Sequence, residues 1–232
     1  MIKNELPDEH ILHLEINRKR AVTLVCSNAS LRELIVGYLC NEGVIASVKD
    51  LISLDIQPDG SFASAIVQTS SLPSDEVRGS GLGGMLLCTE TLIPFIPLQR
   101  HFSADYICRC AEAMNAQARM YAATGGIHCS ALFDGERMIT LFEDIGRHNT
   151  LDKITGHCIL RDIDTKDTLL VTTGRISSDM VRKAGYIGVS ALASYSTATK
   201  RALDFAVGAN MTVVTYTKRL PFVVLSGEER IV

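Results

Sequence analysis

A threefold alternation of helix and strand in the second half of the chain sharply limits the folds open to it. "NTLDKITGHCIL" leads into "DTLLVTTG", "SSDMVRKAGYIGV" into "SALASYS", and "TATKRALDFAVGAN" into "MTVVTYT". Strands alternating with helices at this spacing argue for an α/β layered domain whose central sheet is flanked by helices. Upstream, a helix is expected from about residue 104 to 121, capped by Ser103 and ended by "ATGG". "IHCSALFD" and "RMITLFED" then read as a hairpin around Asp134-Gly135, and the closing "LPFVVLSG" as an edge strand.

The first part of the chain has a different grammar. "AVTLVCS" reads as a strand and "LRELIVGYLCNEG" as a helix with Gly43 at its C-terminal end. "VIASVKDLISLDIQ" and "SFASAIVQT" follow as strands joined at Asp59-Gly60. "SSLPSDEVRGSGLGGM" has no apolar period and carries four glycines between residues 79 and 84, which marks a linker or working loop. The division expected is a small N-terminal α+β domain over 1–75, a glycine-rich connection over 76–102, and the α/β domain over 103–232. His10 and His13 fall in a polar arm, where solvated side chains are the simplest reading.

Composition removes several function classes. A formal charge of -3 supplies no global field for nucleic acid or an acidic membrane surface, so an anion site must be local. No stretch approaches the length of a membrane span or a signal peptide core, which points to the cytoplasm. Seven cysteines without an export signal read as reduced thiols. Cys108 and Cys110 sit two apart on a helix and would not chelate one ion, and no metal site is expected. Met114, Met120 and Met180 read as core fillers.

In such a layered domain, loops leaving the strands meet helix N-termini on one side of the sheet, where ligands bind. "EDIGRHN" enters its helix with Asn149 and Asp152 in capping-box spacing, "TTGRISSD" with Ser177 as cap, and "SYSTATK" through hydroxyls. Arg147 and Arg175 add forked donors suited to phosphate, and Gly146 and Gly174 before them let a ligand approach the backbone. Other readings stay open. Arg147 could clamp Glu143 or Asp144, His148 could be a hydrogen-bonded turn residue, and Asp152 and Lys153 could cap and solvate the helix.

"TGGIHCSALFD", "FEDIGRHNTLDKITG" and "TTGRISSDMVRKA", in this order, resemble the FdhD family of formate dehydrogenase accessory proteins. The resemblance runs from "LRELIVGYLCNEGVI" to "GEERI". It implies a cytidine-deaminase-like α/β domain with a central mixed sheet, a smaller N-terminal domain, and a homodimer. It also implies sulfur transfer from a cysteine desulfurase to the molybdenum bis(guanine dinucleotide) cofactor of formate dehydrogenase, without a catalytic metal. By the same resemblance, Gly146, Arg147, His148, Asn149, Asp152, Lys153, Gly174, Arg175 and Ser177 would face the cofactor. So would "YTKRLP", that is Tyr216, Thr217, Lys218, Arg219, Leu220 and Pro221, although Leu220 and Pro221 depart from the family's pattern there.

One departure concerns the chemistry. The family's active loop carries a Cys-Gly-x-Cys-Gly run, and the matching stretch here is "SGLGG", with Ser80 and Gly83 in place of the cysteines. A sulfur carrier works through an exposed thiolate, which neither residue supplies. Cys88 and Cys129 are the nearest substitutes. Cys88 stands in an apolar run, and His128 points to the opposite side of its strand from Cys129, so buried, inert thiols are the default. A cofactor-binding chaperone that has lost the sulfur step is the alternative function. Zinc deamination lacks its ligand set altogether.

Overall fold

A computed structural model describes residues 6–68, 93–218 and 221–232. Its first sheet has strands β1 (His10–Ile16), β2 (Lys19–Cys26), β3 (Leu51–Ile56) and β4 (Phe62–Val67) in the order β2-β1-β4-β3. Helix α1 (Leu31–Asn41) connects β2 to β3. Leu12, Leu14 and Ile16 alternate along β1 with more exposed neighbours, as a strand with one covered face requires. They share one core with Leu24, Ala65 and the α1 residues Leu34, Ile35, Val36 and Leu39.

Two expectations for this part are corrected. The N-terminal arm is strand β1: His10 Nε2 donates to the Gly60 carbonyl at 2.8 Å, and His13 Nδ1 pairs with Thr23 Oγ1 at 3.0 Å. The strand expected from residue 44 begins only at Leu51. The Asp50 carboxylate accepts the backbone N–H groups of Ala46 and Ser47 at 2.8 and 2.9 Å, which folds the preceding residues into a turn.

The second sheet is mixed and six-stranded. It contains β5 (His128–Asp134), β6 (Arg137–Asp144), β7 (Leu169–Thr172), β8 (Ala191–Ser194), β9 (Thr212–Thr215) and β10 (Val223–Ser226), in the order β10-β9-β8-β7-β5-β6. β7, β8 and β9 are parallel, and β5 is antiparallel to both its neighbours, so β6 runs with β7. β10 closes one edge antiparallel to β9, as "LPFVVLSG" suggests.

Helices cover both faces of this sheet. Between β6 and β9 lie α4 (Arg147–Leu160), α5 (Ser178–Tyr186) and α6 (Lys200–Gly208), whose Leu151, Ile154, Met180 and Ala202 pack with Leu170, Leu192 and Val213. On the other face, Ile107, Cys110 and Met114 of α2 (Ala104–Gln117) pack with Cys129, Val171 and Ala193. Ser103 caps α2 by accepting the Tyr106 N–H. The helix expected to reach residue 121 breaks at Ala118, and a separate α3 (Arg119–Thr124) follows. Glu143 supplies the reason, because its carboxylate accepts the N–H groups of Met120 and Tyr121 at the new helix start. Met114 and Met180 are core residues, whereas Met120 is 38% exposed.

Helix α4 also joins the two sheets, since Ile159 and Leu160 pack against the first core. It crosses α1 at a pair of glycines. A Cβ on Gly37 would stand 1.7 Å from the Asp152 carbonyl oxygen, and one on Gly156 would stand 2.0 Å from that of Glu33. Only glycine permits this approach of two backbones. Residues 69–92, with the glycine loop at 79–84 and Cys88, lie outside the described residues. Among the described residues, no helix is long and apolar enough to cross a membrane.

Candidate functional site

Because β6, β7, β8 and β9 run in one direction, their carboxyl ends lie along one edge of the sheet and their outgoing loops collect there. Arg147 opens α4 directly after Gly146, and Arg175 follows Gly174 in the loop between β7 and α5. A Cβ on Gly174 would lie 2.8 Å from Arg147 Cβ and 3.4 Å from His128 Nδ1, so this glycine lets the loop rest against both side chains. The structure therefore brings the two arginine-bearing turns together and adds His128.

Neither arginine has a carboxylate within ion-pair distance among the described residues, although Asp179 acts on Arg147 from farther away. Arg147 Nε is buried with no hydrogen-bond partner among the described residues. Burial lowers the guanidinium pKa from its ordinary value, and the positive charge of Arg175 adds to the effect. Glu143 and Asp144, the clamp partners considered from sequence, are engaged elsewhere. Glu143 serves α3, and Asp144 binds Lys153 Nζ at 2.5 Å, the Ser27 N–H at 3.1 Å and the Gly146 N–H at 2.9 Å.

Other residues of the same helix turn away from the cleft. Asn149 lies inside α4 and forms no capping box with Asp152; its amide donates to the Val25 carbonyl at 2.8 Å and to Asp144 at 2.7 Å. Asp152 and Lys153 neither cap nor solvate the helix, because both are buried at the seam between the sheets. Asp152 accepts Lys183 Nζ at 2.8 Å and the Asn41 amide at 2.7 Å. Ser177 occupies the position before α5, but its hydroxyl pairs with His148 Nε2 at 3.1 Å in place of a side-chain cap. His148 is held neutral: burial first, then the nearby Lys183 charge, push its pKa down to about 4.

The segment after β9 folds along the end of β8. Tyr216 is exposed with a left-handed φ of 61°, and its N–H reaches the Ser196 carbonyl. Thr217 donates its N–H to the Ser194 carbonyl and buries a hydroxyl that has no partner among the described residues. Lys218 Nζ stands 5.0 Å from the centre of the Tyr195 ring and donates to the Tyr121 hydroxyl at 3.3 Å. Pro221 is exposed, while Arg219 and Leu220 lie outside the described residues.

His128 is the cleft residue that sequence reasoning passes over. The strand alternation that separates it from Cys129 also places it on the cleft side, and that is the signal that could have found it. Cys129 is fully buried in the α2 core. Burial likewise pushes the thiols of Cys26, Cys40 and Cys158 up to about 12 and that of Cys110 to about 11. Cys108 is partly exposed. No group of three or more metal-ligating side chains occurs among the described residues.

The fold and this edge define a class: a layered α/β protein with two arginine-bearing turns side by side at the carboxyl ends of its strands. A sequence model of the FdhD/NarQ family matches residues 7–232, and the chain belongs to that family. The sulfur carrier protein FdhD of Geobacillus kaustophilus is 32% identical, with 99% of this chain and 91% of the relative covered. Its namesake in Bacillus pumilus is 33% identical, covering 98% and 90%. A crystal structure described as a formate dehydrogenase accessory protein, from Desulfotalea psychrophila, matches with a TM-score of 0.81 at 23% identity. It covers 98% of this chain and 91% of that one, and shows the same fold.

Proposed function

We propose that this chain is a cytoplasmic accessory protein for formate dehydrogenase, acting as a homodimer, and that its cleft holds the molybdenum guanine-dinucleotide cofactor while sulfur arrives from a cysteine desulfurase. The relatives named as sulfur carriers support the overall role. The observation that carries the cofactor reading is the Arg147–Arg175 pair, with a buried Nε that no described residue satisfies. A pyrophosphate is the complement such a pair accepts, because it offers several acceptor oxygens and two negative charges. Gly146 and Gly174 do not leave backbone open to a ligand, as their sequence positions suggest; they make room for Asn149 and for Arg147 with His128.

The sulfur step needs an accessible thiol. Six of the seven cysteines lie among the described residues, and five of those six are buried. The sixth, Cys108, is partly exposed on α2, and Cys88, the seventh, is the one next to the stretch that matches the family's active loop, so Cys88 is the chain's first candidate; otherwise the thiol belongs to a partner. Calorimetric titration with GDP tests the cleft. Arg147→Ala or Arg175→Ala should weaken binding by about 1.5–3 kcal/mol, the range for a charged hydrogen bond. Equal affinity in wild type and both variants would remove the reading. Intact mass after incubation with desulfurase and cysteine tests the sulfur step. A gain of one sulfur that Cys88→Ser abolishes assigns it to this chain, and an unchanged mass with GDP binding intact leaves a cofactor-binding chaperone.

A further inference from the structure

We propose that His128 is a proton-gated arm of this anion site, taking up one proton as a phosphate or sulfate dianion binds beside Arg147 and Arg175. The inference rests on the anion-binding reading of the cleft. His128 opens β5, and Gly174 is the contact between its ring and Arg147. It is half-buried, and among the described residues neither ring nitrogen has a hydrogen-bond partner. His148 differs, because its ring is tied to Ser177 and lies 3.9 Å from Asp179.

The charged groups around His128 come from three elements. From β6, Asp144 stands opposite in register, but its carboxylate already serves Lys153, Asn149 and two backbone N–H groups. From α4 come Arg147 and the neutral His148, with Lys183 and Asp179 beyond the latter. Arg175, from the loop before α5, acts on Arg147. Burial and Arg147 together outweigh Asp144, and the imidazole pKa is lowered. A dianion at the arginines reverses this balance. It offsets the Arg147 charge, adds an opposite charge, and gives the new imidazolium N–H an acceptor. Affinity should therefore rise as pH falls from the bound-state pKa of His128 to its free-state pKa, by up to about tenfold per pH unit for one linked proton.

Sulfate separates the protein's proton from the ligand's, because it stays doubly charged where a nucleotide phosphate titrates. In a histidine NMR titration of the full chain, saturating sulfate should raise the His128 pKa by about one unit and leave His148 in place; loss of a resonance in His128→Gln makes the assignment. Titration with GDP in two buffers of different ionisation heat should show proton uptake that is smaller in His128→Gln, with His128→Asn as a second variant. A His128 titration unchanged by sulfate overturns the proposal while leaving the cleft reading intact if GDP still binds. Failure of both GDP and sulfate to bind wild type overturns the two together.

Discussion

Lys183 and Arg175 stand on either side of the start of α5, and their surroundings differ. Lys183 is buried at the seam between the sheets, with Asp152 at 2.8 Å and Asp179 at 3.6 Å; burial opposes its charge, but these carboxylates outweigh it and raise its pKa. Arg182 beside it reaches Asp179 at 2.6 Å and Glu42 at 3.2 Å, and Lys153 holds Asp144. Arg175 and Arg147 have no carboxylate within ion-pair distance among the described residues. Seam and cleft share α4 and α5, so carboxylates are not scarce in this part of the fold. An unpaired buried charge is strongly unfavourable, which is why the buried cations of the seam are paired; Arg147 is half-buried with its Nε covered, and Arg175 is exposed to water. The seam satisfies its cations internally, and the cleft leaves two for an anion from outside.

The strongest effect is expected at the seam. Lys183→Met leaves Asp152 and Asp179 buried without their ammonium and should lower stability by about 3–5 kcal/mol in urea unfolding. A loss under about 1 kcal/mol would mean that the seam is not a structural counterpart to the cleft. The next effect is a pH dependence. His148 titrates near 6.5 when unfolded and at about 4 when folded, so the unfolded chain binds the proton first as pH falls. Stability should drop by about 3 kcal/mol between these values and level off below them. His148→Gln should flatten that window, and an unchanged slope would place the titration elsewhere. The weakest effect bears on the cleft. Arg175→Ala should change unfolding stability by no more than about 0.5 kcal/mol, because it removes no native partner. A larger loss would show that Arg175 has a structural role after all.

Helices α4, α5 and α6 and the strands between them are legible in the sequence because their signals are local: apolar periods, capping residues and turn glycines within a few positions. The edge strand β10 and the turn at Gly60 are legible for the same reason. β1 is harder to see. Leu12, Leu14 and Ile16 do alternate with His13 and Glu15, but its polar members also fit a solvated arm, and what decides between the two is pairing with β2 and β4. The break at Ala118 has no local signal, since it depends on Glu143, more than twenty residues away.

The candidate site divides along the same line. Residue order is enough to show that an arginine follows a glycine at two helix entrances; that Ser80 and Gly83 stand where the family has cysteines is what the resemblance implies. Which charges are satisfied is settled by the folded chain: Asp152 meets Asn41 across 111 residues, and Asp144 meets the Ser27 N–H across 117. Ion pairs and hydrogen bonds form over a few ångströms, a separation that tertiary packing sets and sequence distance does not. For that reason Asp152 and Lys153, which share a motif with Arg147, belong to the seam, while Arg147 and Arg175 remain unpaired in the cleft.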